Sequence, residues 1–281
     1  MPKKESWTAR QTRFSLLCER ERLSDHPAEG TGIGTYKERR IHSVLKDFYC
    51  PDMARQEVKL TEEHLTGKYI ELTDAATRRA ADRYVADILT EQGEIIEIQT
   101  GSLYPLIKKL HFYLCATELR VTVVHPIIKT NWMRWLDQNT GELTARRRSP
   151  KKGSIKDLAR EMYWLSPYLA EKRLTLRLPM LEVEETRWLD GWGRGGKRGS
   201  TRHDRFPIAL CDEIVLCGPE DYIAAFLPTE DRLSHPFTAA EYARATGIGG
   251  RTTYSMLHIL CDLGALTAGE KRGRAGTWER M

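Results

Sequence analysis

The stretch Tyr84-Val85-Ala86-Asp87-Ile88-Leu89-Thr90-Glu91-Gln92-Gly93-Glu94-Ile95-Ile96-Glu97-Ile98-Gln99-Thr100 decides the fold. Arg83–Thr90 and Glu94–Thr100 read as strands, separated by Glu91-Gln92-Gly93. Three-residue hairpin loops commonly place glycine last, in the left-handed conformation. With Gly93 in that role, Thr90 faces Glu94 and Asp87 falls directly opposite Glu97. Opposed residues share a face, with Cβ atoms about 4.5–5.5 Å apart. Gln99 lies two residues beyond Glu97 and so on that face too. Two facing carboxylates repel and call for a compensating cation. A hard divalent ion suits their oxygens. Val85, Leu89 and Ile95 share the face and argue against simple exposure, although a solvent-facing strand pair carrying ordinary acids fits the same letters.

Upstream, Ile41, Val44, Leu45 and Phe48 recur at helical spacing and predict a helix over Tyr36–Phe48, ended by Pro51. Gln56–Leu60 reads as a short strand. Residues 1–30 are highly charged, with a small apolar patch at Phe14, Leu16 and Leu17, and read as a loosely attached N-terminal helix. Downstream, Leu103, Leu106, Ile107, Leu110 and Leu114 predict a helix over Ser102–Cys115 that carries Lys108 and Lys109 on its flank. Arg120–Ile128 is a β-branched, buried strand. Helix, strand, hairpin, helix, strand in that order predicts an α/β domain. A hairpin at Trp132–Leu136 and Glu142–Arg148 follows, then a helix at Ile155–Leu165 and extended chain at Leu174–Trp188. Residues 191–207, glycine-rich and basic, read as a linker. The expected organisation is an extension over 1–30, an α/β domain over 31–190, the linker over 191–207 and a C-terminal domain over 208–281.

Composition narrows the classes. Hydrophobic residues make up 41% and charged residues 30% of 281, enough for a packed core. The net charge of +5 is only mildly suggestive of a nucleic-acid partner. No apolar run approaches the ~18 residues of a membrane span, so no membrane is expected as a partner. Met1–Trp7 lacks the apolar core of a signal peptide. The six cysteines form no Cys-x-x-Cys pair, which speaks against zinc, and their scatter fits a reducing cytoplasm.

Asp87 followed by Glu97-Ile98-Gln99, behind a helix bearing Glu38, resembles the PD-(D/E)xK nuclease superfamily over roughly residues 32–128. The pattern is similar to that of archaeal Holliday-junction resolvases. The resemblance implies a restriction-endonuclease-like core, a mixed sheet flanked by helices. It implies Asp87 and Glu97 as ligands of Mg2+ or Mn2+, Glu38 as an accessory acid on the first helix, and Gln99 in the place usually held by lysine. Gln99 carries no charge, but it can orient a water. The missing cation would come from Lys108, from Lys109 or from a second metal. Glu38 fits equally well as an i,i+4 partner of His42.

In the C-terminal region, Thr238-Ala239-Ala240-Glu241 matches a capping box. A helix ending near Gly247, a turn at Ile248–Gly250 and a second helix over Arg251–Leu263 follow. This helix is expected to bury Tyr254, Leu257 and Leu260. Leu266–Ala268 and Thr277–Arg280 then flank a tip with Lys271, Arg272 and Arg274. The layout resembles a winged helix-turn-helix, which implies Arg251, Thr252, Ser255 and His258 at base edges and the tip cations on phosphates. A small protein-interaction module is the other reading. The block Arg146, Arg147, Arg148, Lys151 and Lys152 suits phosphate contacts or plain solvation. Together these expectations describe a metal-dependent DNA endonuclease, with a homodimer compatible with double-strand cutting. The alternative is a DNA-binding regulator whose nuclease fold has lost activity.

Overall fold

The computed structural model describes residues 5–24, 36–72, 84–190 and 200–281. In chain order, the first unit comprises helices α1 (Trp7–Leu23) and α2 (Tyr36–Tyr49), strand β1 (Gln56–Lys59), the short helix α3 (Gly67–Leu72), and strands β2 (Val85–Leu89) and β3 (Glu94–Ile98). Helix α4 (Ile107–Ala116), strands β4 (Arg120–Val124), β5 (Ile127–Leu136) and β6 (Arg147–Arg148), helix α5 (Met162–Leu165), and strands β7 (Leu174–Trp188) and β8 (Arg202–Cys217) complete it. These eight strands form one mixed sheet. β1, β2 and β3 are antiparallel, β3, β4 and β7 parallel, and β8 closes antiparallel on β7.

The sheet is covered on both faces. α1 and α2 bury Phe14, Val44, Leu45 and Phe48 against Ile88, Ile96, Val183 and Leu210. On the other face α4 and the segment through α5 bury Leu110, Tyr113 and Leu165 against Val121, Val123 and Leu176. Truncation of a side chain such as the fully buried Leu45 costs about 2–5 kcal/mol in comparable cores.

Several expectations need correction. α1 is not loosely attached: Phe14 is fully buried, its ring 5.3 Å edge-on from Phe48, and Gln11 Nε2 donates to Leu210 O at 3.0 Å. The Arg120–Ile128 strand is interrupted at His125-Pro126, where proline offers no N–H. β4 and β5 nevertheless keep one register along β7, Val124 opposite Arg177 and Ile127 opposite Met180. The helix over Ile155–Leu165 is 3-10 through Arg160 and α only from Met162. Of the supposed linker, Arg202–Pro207 belongs to β8 and pairs with β7, while 191–199 lie outside the described residues. The first unit therefore ends at Cys217, beyond the boundary expected at 190 and ten residues past the expected end of the linker.

The second unit starts with α6 (Pro219–Phe226), then β9 (Phe237–Thr238), α7 (Ala239–Thr246), α8 (Arg251–Asp262), β10 (Leu266–Arg272) and β11 (Ala275–Arg280). The capping box forms as the sequence predicts: Glu241 N donates to Thr238 Oγ1, and Thr238 N donates to Glu241 Oε2. β10, β11 and β9 make a separate three-stranded antiparallel sheet. Tyr254 is exposed rather than buried, and α8 instead buries Thr253, Met256, Leu257, Ile259 and Leu260. Met256 and Ile259 belong to the same apolar cluster as Met162 and Leu165, so the two units share one core.

Candidate active site

The hairpin takes the register that its loop demands. Gly93 has φ +69°, its N–H donates to Thr90 O at 3.1 Å, and Thr90 N donates to Glu94 O at 2.9 Å. Leu89 pairs with Ile95 and Ile88 with Ile96. The paired ladder ends at Ile88–Ile96, one step short of Asp87 and Glu97, while on its other edge β2 goes on pairing with β1 through Ala86–Val58 and Val85–Lys59. At unchanged register Ile98 N–H would donate to Ala86 O. It donates instead to Asp87 Oδ2, at 2.7 Å. A carboxylate thus completes the backbone pairing where the two strands part. Gly93→Ala is expected to lower stability by about 1–2 kcal/mol, since a Cβ is strained at this φ; urea unfolding of the variant measures it.

Glu97 is only 3% exposed and is held by one helix face. Lys109 Nζ donates to its Oε2 and Tyr113 OH to its Oε1, both at 2.7 Å. Lys109 and Tyr113 are four residues apart on α4 and so project together. On the opposite side, His42 Nε2 of α2 lies 3.2 Å from Asp87 Oδ2. Asp87 thus takes its side-chain partner from the helix on one face of the sheet and Glu97 from the helix on the other, a departure from the single shared face expected from the sequence.

The environments push the acids apart. Burial, then the charge of Asp87, raises the Glu97 pKa above the ordinary carboxylate range, against the opposing pull of Lys109 and Tyr113. Burial would raise Asp87 as well, but the hydrogen bonds from His42 and Ile98 N–H and the charges of His42 and Lys109 outweigh it, and its pKa is lowered. Pairs split in this way are frequent where proton or cation chemistry occurs.

The split has opposite signs for stability. Asp87 binds its proton more weakly folded than unfolded. Its stabilisation is present above the usual pKa of about 3.9 and is lost as pH falls through the lowered value. Glu97 binds its proton more tightly folded, so stability falls as pH rises from about 4.3 through its raised value. Asp87→Asn should therefore flatten the acid limb of a stability–pH curve, and Glu97→Gln should remove a decline on the neutral side. Urea midpoints across pH check both.

Gln99 directly follows β3 with its Nε2 donating to Ser102 O at 2.7 Å, and His125 Nδ1 contacts its carbonyl oxygen at 2.8 Å. Of the sources of charge considered from the sequence, Lys109 reaches Glu97, whereas Lys108 is exposed. Glu38 lies in α2, but its side chain falls outside the described residues. Sequence reasoning missed Tyr113, which its i,i+4 spacing from Lys109 would have flagged. It also missed His42 as a partner of Asp87.

The sequence model of a family described as "Domain of unknown function (DUF8091)" matches residues 67–217, more than half of the chain. The chain belongs to the DUF8091 family. The matched DUF8091 span ends at the last residue of β8 and contains Asp87, Glu97, Gln99, Lys109 and Tyr113, while His42 and α8 lie outside it. A Treponema pallidum (strain Nichols) protein described as uncharacterised is 27% identical over 250 residues, covering 88% of this chain and 87% of its own length. No solved structure matches.

Within the DUF8091 span the basic block divides. Arg146 Nε sits 3.3 Å from Glu184 and its guanidinium lies over the Trp132 ring, and Arg148 donates to Thr130 Oγ1 at 3.3 Å. Arg147 is exposed. Lys151 and Lys152 line a cleft of about 720 Å3 that Thr252 also lines. Beyond the DUF8091 span, Arg251 and His258 are exposed on α8, with Ser255 half-buried between them. Lys271 and Arg274 are exposed at the hairpin tip. Arg272 departs from expectation: it donates to Glu241 Oε1 at 2.9 Å and to Pro236 O at 2.6 Å and is drawn back onto the capping box. Among the described residues no group of three or more His, Cys, Asp or Glu side chains suited to a metal is assembled. Mg2+ commonly keeps several waters and takes one or two carboxylates, so the donor chemistry of Asp87 and Glu97 fits it.

Proposed function

We propose that the chain is a metal-dependent DNA endonuclease that hydrolyses phosphodiester bonds at Asp87 and Glu97. One observation carries the reading: two acids of opposite pKa tendency converge where β2 and β3 part, with Lys109 Nζ 2.7 Å from Glu97. The resemblance to PD-(D/E)xK nucleases supports it. Mg2+ or Mn2+ held by the two carboxylates would lower the pKa of a bound water and neutralise charge on the phosphoryl oxygens. His42 and Ile98 N–H keep Asp87 ionised and aimed. Lys109 supplies the positive charge that the Gln99 position lacks, and can turn from Glu97 to a phosphoryl oxygen. Gln99, its Nε2 engaged on Ser102, keeps Oε1 as an acceptor for the attacking water.

The C-terminal unit reads as a winged helix-turn-helix that grips duplex DNA through Arg251, Thr252, Ser255 and His258 on α8 and through Lys271 and Arg274 at the tip. No described helix is long and apolar enough to cross a membrane. All six cysteines are free thiols, as a reducing cytoplasm would leave them.

A catalytically inactive DNA-binding regulator is the second reading. It is favoured by the hydrogen bonds that already occupy both acids. Nicking of supercoiled plasmid with Mg2+ or Mn2+ separates the two. Nicking that vanishes in Asp87→Ala and Glu97→Ala supports the enzyme. Tight duplex binding without cutting under either metal supports the regulator.

A further inference from the structure

The surface beside Gln99 combines two features that the proposed chemistry does not use. The first is aromatic. Tyr104, Tyr163 and Trp164 are 60%, 59% and 37% exposed and form one contiguous ledge, with Trp164 4.5 Å from Tyr104 and 5.0 Å from Tyr163 between ring centroids. Their hydroxyls and the indole N–H make no hydrogen bond among the described residues. Bare aromatic area of this kind usually marks a contact surface.

The second is electrostatic. The cleft of about 720 Å3 next to the ledge is lined by Lys151, Lys152, Lys156 and Arg160, none of which forms an ion pair among the described residues. Its two acids are already engaged: Asp157 accepts from Ser154 N, and Glu161 accepts from Ser102 Oγ and Leu103 N. The Glu161 contacts clip the Tyr104 segment to the Tyr163–Trp164 segment, so ledge and cleft are one rigid surface. His125, which contacts the Gln99 carbonyl oxygen, lines the same cleft.

We infer that this ledge and cleft bind an unpaired DNA strand, bases stacked on Tyr104, Trp164 and Tyr163 and phosphates along the four cations. The inference rests on the nucleic-acid reading above and deepens it. Flat exposed rings stack on bases that are not already stacked in a duplex, and a row of unpaired cations suits a polyanion rather than an apolar protein surface. Such a site would select DNA carrying single-stranded or branched segments over plain duplex.

The test is fluorescence anisotropy with the full-length protein at fixed salt and three labelled probes: a single-stranded 20-mer, the same backbone without bases, and a duplex. The base-free strand should bind at least about tenfold more weakly than the normal strand. Tyr104→Ala/Tyr163→Ala should weaken single-strand binding by about tenfold per ring and leave duplex binding unchanged. The corresponding Phe pair should retain affinity. Both tyrosines are well exposed, so thermal melts should confirm that the variants fold. Lys151→Ala/Lys152→Ala should weaken both single-stranded probes and reduce the salt dependence. Equal binding of the normal and base-free strands, or an unchanged affinity in the Ala pair, overturns the inference. If the duplex is bound and the single strand is not, only this inference fails. If no probe is bound, the nucleic-acid reading fails with it.

Discussion

Asp87→Ala is expected to reduce plasmid nicking by about 10³-fold or more and to lower folding stability by about 1–3 kcal/mol. The two losses have different origins. On the proposed function, cutting would fall because one of the two proposed oxygen donors to the cation is gone. Stability falls because the N–H of Ile98, a residue only 3% exposed, loses its acceptor at the strand split. Asp87→Asn separates them. The amide oxygen still accepts from Ile98 N–H, so much of the stability should return. Its neutral oxygen is a poor ligand for a hard cation, so cutting should stay low. Parallel nicking and urea-unfolding measurements decide the matter, and an Asn variant that cuts at the wild-type rate would remove Asp87 from the chemistry.

Lys109→Met should lower the nicking rate by about 10²–10³-fold, the usual effect of removing a group aimed at developing negative charge. Methionine keeps an unbranched stem along α4, so the fold should survive. Lys108→Met is the control and should change little, because Lys108 points to solvent. A second readout distinguishes Lys109 from a mere structural brace. Lys109 is one of the groups that lower the Glu97 pKa, so its loss raises that pKa further. If ionised Glu97 is required, the acid limb of the pH–rate profile must move to higher pH in Lys109→Met. A profile that falls in height without moving would indicate that Lys109 only supports the helix.

Local chemistry made the hairpin legible. Gly93 at the third loop position leaves one comfortable register, which Leu89–Ile95 and Ile88–Ile96 follow up to one step short of Asp87 and Glu97. The same local logic located the capping box at Thr238. Features that depend on how distant elements pack were not legible. His42 meets Asp87 because α2 lies on one face of the sheet, and Tyr113 meets Glu97 because α4 lies on the other; spacing groups Tyr113 with Lys109 but does not say which acid the two reach. The packing of α1 is not legible because its buried stripe is Phe14, Cys18 and Glu21, a mixture that no apolar pattern flags. Residues 191–207 read as a linker because a long hairpin and a domain tether share a composition. Only pairing partners tell them apart, and Arg202–Pro207 has them on β7. Lys109 stood among several sources of charge, and the register of α4 against β3 selects it.

The apolar residues shared between α5 and α8 have a mechanical consequence. Because Met162 and Leu165 lie in one continuous core with Met256 and Ile259, neither unit has a complete interior alone. Denaturation should therefore be a single transition, and a fragment ending at Cys217 would lay bare the α5 side of that core. The C-terminal unit is then no interchangeable head on a tether. Whatever it grips is presented to the rest of the molecule at one fixed offset and angle, as on a carpenter's square.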